Sequence, residues 1–116
     1  MAFSDSLRGY AYPVHLRDGF RCVYCGLDGT VWPNWLSLSW DHLLPKGHPE
    51  RDDDRYIVTA CRFCNEARNR TPFATEGLAP TDIVNLKREA IAEVRREYRA
   101  FWEANVASIA GPDGGQ

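Results

Sequence analysis

Three short segments decide the fold: CVYC at residues 22–25, SWDHLLPKG at 39–47 and CRFCN at 61–65. A Cys-x2-Cys turn presents two thiolates at the right separation for one tetrahedral ion. The first pair, Cys22 and Cys25, and the second, Cys61 and Cys64, together complete four-coordination by sulfur. An ion with four thiolates has no open position for water or substrate, so the site is structural. Any chemistry must come from what the clamp holds in place. Asp41-His42 lies between the two pairs, and Asn65 directly follows the last cysteine.

The remainder of the composition agrees with this reading. A chain of 116 residues is the length of one domain. Its middle is poor in aliphatic residues and rich in Asp, Arg, Pro and Gly, so an ion is expected to substitute for missing core. A structural zinc ion contributes an apparent ~10–16 kcal/mol at neutral pH, as much as the whole stability of a small domain. A disulfide framework is the competing use of four cysteines. It fits poorly, because MAFSDSLRGYAYP is too short and too polar for a signal peptide. A reducing cytoplasm is the expected compartment. No run is long and apolar enough for a membrane helix. The formal charge of −2 is low for a nucleic-acid binder. It is unevenly spread: Asp52, Asp53 and Asp54 form an acidic turn, whereas Lys46, Arg62, Arg68 and Arg70 flank the central segments.

Outward from these segments, residues 1–16 read as a lead-in with Pro13 breaking any helix, and Asp18-Gly19 as a turn aiming the first cysteine pair. His15 reads as a surface or packing residue, outside any ligand spacing. Gly26 suits the tight turn behind Cys25. Residues 27–34 read as a loop in which Trp32, with Trp35 just beyond it, plugs the core over the zinc lobe. Leu36 to Trp40 alternates apolar and polar with period two, a half-buried strand with Asp41-His42 at its end. Leu43 to Arg55 is a long loop containing His48, read as a surface residue. Tyr56 to Thr59 is β-branched and aromatic and returns as the second strand. Asn65 to Arg70 is a short helix that stops before Pro72. A linker at 73–80 leads to an amphipathic helix at 81–110, capped by Thr81 or Asp82. Its apolar stripe runs through Ile83, Leu86, Ala90, Val94, Phe101 and Trp102 and is expected to pack on the core rather than on a second subunit. Residues 111–116 read as a disordered tail. The fold class is α+β: a small zinc-clamped ββα unit followed by a long C-terminal helix.

A hairpin packed on a helix brings Asp41 near Asn65. A carboxylate and an amide oxygen are hard ligands that suit Mg²⁺ or Mn²⁺, and Asn69, one turn beyond Asn65, is a further candidate. An imidazole titrates near neutral pH, so His42 can take a proton from water. Arg68 and Arg70 can hold neighbouring phosphates. Together these residues make a workable phosphodiesterase.

RDGFRCVYCG (17–26), SWDHLLPKG, VTACRFCN (58–65) and RNRTP (68–72), in that order, resemble the HNH endonucleases, ββα-metal (His-Me finger) nucleases with a four-cysteine zinc site. The resemblance covers residues 17–72. It implies a DNA endonuclease with His42 as general base, Asp41 and Asn65 as ligands of a catalytic Mg²⁺ or Mn²⁺, and Cys22, Cys25, Cys61 and Cys64 on structural zinc. Lys46, Arg62, Arg68 and Arg70 are then the substrate-side residues, and the protein is a monomer or a homodimer. The family's middle Asn, which orients the loop carrying the base, is replaced here by Tyr56. That substitution keeps a second reading open: a zinc-stabilised nucleic-acid-binding module of the same fold that does not cut.

Overall fold

A computed structural model describes residues 11–67 and 74–110. The elements run α1 (Tyr12–Arg17), α2 (Trp32–Trp35), β1 (Leu38–His42), a 3-10 turn (Asp54–Tyr56), β2 (Ile57–Cys61), α3 (Arg62–Ala67), α4 (Pro80–Asn105) and a last 3-10 turn (Ala107–Ala110). Two strands, a helix directly after the second of them and a long terminal helix make an α+β domain.

β1 and β2 pair antiparallel, from Leu38 against Cys61 to His42 against Ile57. Alternation along paired strands sends neighbours to opposite faces. Ser39, Asp41, Val58 and Ala60 face α3 and α4. Val58 and Ala60 pack there with Ile83, Val84 and Ile91 of α4 in one buried cluster. Trp40, His42, Ile57 and Thr59 take the other face, where α1 lies: the buried His15 reaches Thr59 Oγ1 at 2.8 Å, and its ring stands 6.4 Å from that of Trp40. The lone histidine is therefore core, fully buried rather than at the surface.

Several elements differ from the sequence expectation, each for a local reason. Pro13 does not break α1. It sits in the first turn, where its missing N–H had no helical partner to lose. β1 begins at Leu38 because α2 occupies 32–35, and Asp41 and His42 are its last two residues, both paired with β2. β2 begins at Ile57, since Tyr56 closes the 3-10 turn that Asp53 caps by accepting from Arg55 N at 2.9 Å. Trp32 is 68% exposed and plugs nothing, and Trp35 packs on His15 and Phe20 beside α1, away from the cysteines. The N-cap of α4 is Ala79, with Pro80 in the first turn and Asp82 accepting from Ala79 N at 3.3 Å.

Two glycines are used sterically. Gly26, at φ +82°, lets its N–H return to Cys22 O at 2.9 Å and closes the first cysteine turn. At Gly29 a Cβ would lie 2.7 Å from the Phe20 carbonyl oxygen and 2.8 Å from Leu38, so the chain can pass here only without a side chain.

The N-terminal half of α4 packs on the sheet through Ile83, Val84, Lys87 and Ile91, all buried. Its C-terminal half does not follow: Phe101 is 65% exposed, and Leu86 in the first half also faces out. The expected continuous packing stripe holds only for the first half. No helix among the described residues is long and apolar enough to cross a membrane.

Candidate metal centre and active site

The four cysteines converge. Cys22 and Cys25 come from the turn after α1, Cys61 ends β2, and Cys64 lies in α3. Their sulfurs all lie within 4.8 Å of one another, and Cys25 Sγ is 3.8 Å from Cys61 Sγ. Four thiolates about 2.3 Å from one ion form a tetrahedron whose edge is about 3.8 Å, so the cluster has the dimensions of a metal site. The backbone builds it: Val23 N donates to Thr59 O at 3.0 Å, docking the first turn on β2, and Cys64 N donates to Cys61 Sγ at 3.5 Å. The protonation of the thiols also calls for a cation. Partial burial and the neighbouring Cys22 push the Cys25 thiol up to about 11. Thiol hydrogen bonds and burial raise Cys64 further, while bonds from Cys61 and Cys64 hold Cys22 low. Four thiolates cannot share this space without a positive charge between them. Arg95 of α4, a residue that spacing did not single out, contributes charge from outside by donating to Cys64 Sγ at 3.2 Å.

Asp41 lies on the α4 side of the sheet and is 8% exposed. Its Oδ2 accepts from Tyr24 Oη at 2.6 Å and from Lys87 Nζ at 2.7 Å. Tyr24 belongs to the first cysteine turn, so the metal lobe itself grips Asp41. Burial and the Asp41 charge raise the Tyr24 pKa well above its usual value, so the phenol stays protonated and donates. The sequence offered no local signal for either partner. Both are reached only through tertiary packing.

Asn65 sits in α3 with its amide turned to β1: Nδ2 donates to Ser39 Oγ and to Trp40 O, each at 3.1 Å. The Trp40 carbonyl precedes Asp41, so α3 and β1 bring the amide and the carboxylate to neighbouring positions. Asp41 Oδ1 and Asn65 Oδ1 receive no hydrogen bond from the described residues. As hard oxygens they fit Mg²⁺ or Mn²⁺ in donor type. The charge already present is Lys87, a cation at contact distance from the same carboxylate.

His42 points to the opposite face of the sheet. Its side chain is 19% exposed, and Nε2 lies 3.5 Å from Asp52 Oδ1, ion-pair distance but long for a hydrogen bond. Burial, then the Arg51 charge, lower its pKa against the opposing pull of Asp52 and Asp41, so the imidazole is neutral near pH 7.

The loop between the strands does not depend on the Tyr56 hydroxyl, which has no hydrogen bond among the described residues. Its order comes from backbone and charge. Leu43 N donates to Tyr56 O at 2.8 Å. Arg17 donates from Nη1 to Asp54 O at 2.8 Å and from Nη2 to Ile57 O at 2.7 Å. Arg55 bridges Asp53 and Glu50. Lys46 and Arg62 are exposed. Arg68, Asn69 and Arg70 lie outside the described residues.

Two endonucleases resemble the chain. One is the CRISPR-associated endonuclease Cas9 of Actinomyces naeslundii, 27% identical over 106 residues that cover 68% of this chain and 9% of that protein. The other is the CRISPR-associated endonuclease Cas9 of Corynebacterium diphtheriae, 24% identical over 108 residues, covering 84% of this chain and 10% of that protein. The chain thus spans about a tenth of the length of these curated relatives. No family model matches it, and no solved structure does.

The buried pair yields a stability prediction. Lys87→Met leaves the Asp41 charge with Tyr24 alone and is expected to cost about 3–5 kcal/mol, because an uncompensated buried charge remains. Adding Asp41→Asn should recover most of that loss. Urea midpoints of the two single variants and the double variant measure it. An additive double variant means that the pair contributes nothing as a pair.

Proposed function

We propose that the chain is a nuclease module of HNH type, in which the four cysteines hold a structural zinc ion and His42 serves phosphodiester hydrolysis in DNA. The observation that carries this reading is a single juxtaposition. A half-buried, neutral imidazole follows, on the same strand, a carboxylate that the cysteine lobe itself grips, in a chain that aligns with endonucleases. A pure binding module has no need of such an imidazole.

In this scheme the neutral His42 accepts a proton from water, the water oxygen bonds to phosphorus, and the bond from phosphorus to the leaving 3′ oxygen breaks. Asp52 faces the imidazolium so formed and stabilises it. Asp41 Oδ1 and Asn65 Oδ1, on the other face of the sheet from His42, would hold a Mg²⁺ or Mn²⁺ ion, which when bound supplies Lewis-acid stabilisation of the phosphate charge. The scheme therefore seats the phosphate at the end of β1, where His42 is the last strand residue. Tyr24 and the zinc lobe keep the Asp41 carboxylate oriented. Lys46 and Arg62 are exposed cations available to flanking phosphates.

A plasmid-nicking assay with added Mg²⁺ or Mn²⁺, comparing wild type with His42→Ala, tests the reading. The pH profile adds a signed expectation. The active base is the neutral form, and the His42 pKa lies below its ordinary 6.5. Cleavage should therefore hold as pH falls through 6.5 and decline only below it. Arg51→Ala removes a cation that disfavours the imidazolium, so it should move that acid limb upward. A wild-type limb above 6.5 would contradict the assignment.

One observation favours a second reading, in which the domain binds nucleic acid without cutting it. Lys87 already neutralises Asp41, and a site so balanced attracts a divalent ion weakly. Metal-independent DNA binding with no cleavage in any metal would select that reading.

A further inference from the structure

The C-terminal half of α4 carries a surface that neither the cysteine cluster nor His42 uses. Where α4 leaves the sheet, it walls a groove of about 730 Å³ against the first cysteine turn and α3. Aromatic rings and guanidinium groups alternate along it. Tyr98 stands edge-on to Phe63 at 5.1 Å, the Arg95 guanidinium lies 4.5 Å over the Phe63 ring, and that of Arg99 lies 5.3 Å over Trp102.

The charges on α4 are segregated around Arg95 and Arg99, whereas Arg96 borders the stripe of Glu89 and Glu93. Ala92, Arg95, Arg99 and Trp102 follow one another at steps of three or four and share a face. Glu89, Glu93 and Glu97 recur at steps of four on a different stripe. Residues two apart in a helix are separated by roughly 200°, so Glu93 and Glu97 lie far round the helix from Arg95. The groove side is thus cationic, although the chain as a whole carries −2. Glu103 does reach it, pairing with Arg99 at 3.3 Å, but both partners are exposed, and such a pair yields readily to a stronger anion.

From this arrangement we propose that the groove is a seat for single-stranded nucleic acid. Arg96 and Arg99 are placed to contact phosphates, and Tyr98 and Trp102 to stack on unpaired bases. Every base has a face that a ring can cover, so this recognition is tolerant of sequence. A duplex keeps its bases stacked on one another and cannot use the rings. An apolar protein segment has no use for the guanidinium groups above them. Arg95 has a different task, because its Nη2 is already committed to Cys64 Sγ. The inference rests on the nucleic-acid half of the proposed function and not on hydrolysis.

The test uses the metal-loaded full chain with no added Mg²⁺ or Mn²⁺. Fluorescence anisotropy follows a labelled single-stranded DNA oligonucleotide and the duplex of the same sequence. The single strand should bind more tightly than the duplex. Trp102→Ala should weaken binding about tenfold, the scale of one lost base stack, and leave the salt dependence unchanged. Arg96→Gln with Arg99→Gln should weaken binding and flatten the plot of log affinity against log salt by about 1.4, since each single-strand phosphate contact contributes about 0.7. A wild type that binds through these residues but never cuts leaves the groove standing and overturns only the nuclease reading. Cleavage that persists while all groove variants bind normally overturns the groove alone. Duplex binding equal to single-strand binding also overturns it, as does a concentration-dependent dimer lost with Trp102→Ala, which would make the groove a seat for a second copy.

Discussion

Cys61→Ser is expected to leave the chain without a cooperative thermal transition. Cys61 ends β2, contacts the first cysteine turn through Cys25 at 3.8 Å, and accepts from Cys64 N at the start of α3. Removing its thiolate loosens three elements at once. The hydrocarbon core left to oppose this is small: a two-stranded sheet covered by Ile83, Val84 and Ile91, with Leu43 and Leu44 beside it. A structural zinc ion supplies an apparent ~10–16 kcal/mol at neutral pH, and small domains have only about 5–15 kcal/mol of stability in all. Loss of the ion therefore exceeds what the rest can offset. Metal analysis should find about one zinc per chain in wild type and markedly less in the variant. Chelation of wild type should reproduce the unfolding, and a metal-free wild type that still melts normally would contradict the role given to the cluster.

His42→Ala is expected to lower metal-dependent cleavage by about 10²–10⁴-fold, the range for a positioned general base. Stability should change by no more than about 1 kcal/mol, because His42 ends β1 with part of its side chain exposed, and its ion-pair partner, Asp52, is 80% exposed. The two measurements belong together. A fall in cleavage with unchanged melting and zinc content assigns the chemistry to the imidazole. Undiminished cleavage in the variant moves the base elsewhere. Equal inertness of wild type and variant, with DNA still bound, selects the binding module.

The hairpin, the helix after it and the long terminal helix were legible because each has a local cause. Alternation marks β1, β-branched and aromatic residues mark β2, and a run at steps of three and four marks α4, whose start at Pro80 lies inside the expected linker. Edges were less legible. β1 starts two residues later than its alternation implies because residues 32–35 close into a turn of helix first. Trp32 resembles a core residue by composition alone, yet it is 68% exposed at the start of α2. Apolar periodicity made α4 look packed throughout, whereas the sheet is five residues long and covers only its first half.

The cysteine cluster was determined by the sequence itself, because a Cys-x2-Cys turn carries its own ligand geometry and two such turns need only meet. The adjacency of Asp41 and His42 was likewise written in the chain, and strand alternation then sends them to opposite faces. Only the tertiary structure decided what each of them meets. Tyr24 and Lys87 stand 17 and 46 residues from Asp41, and they reach its carboxylate because the cysteine turn and α4 dock on one face of the sheet. A pairing at such distance leaves no periodic trace, since it depends on which helix face a fold buries and not on any neighbour in sequence.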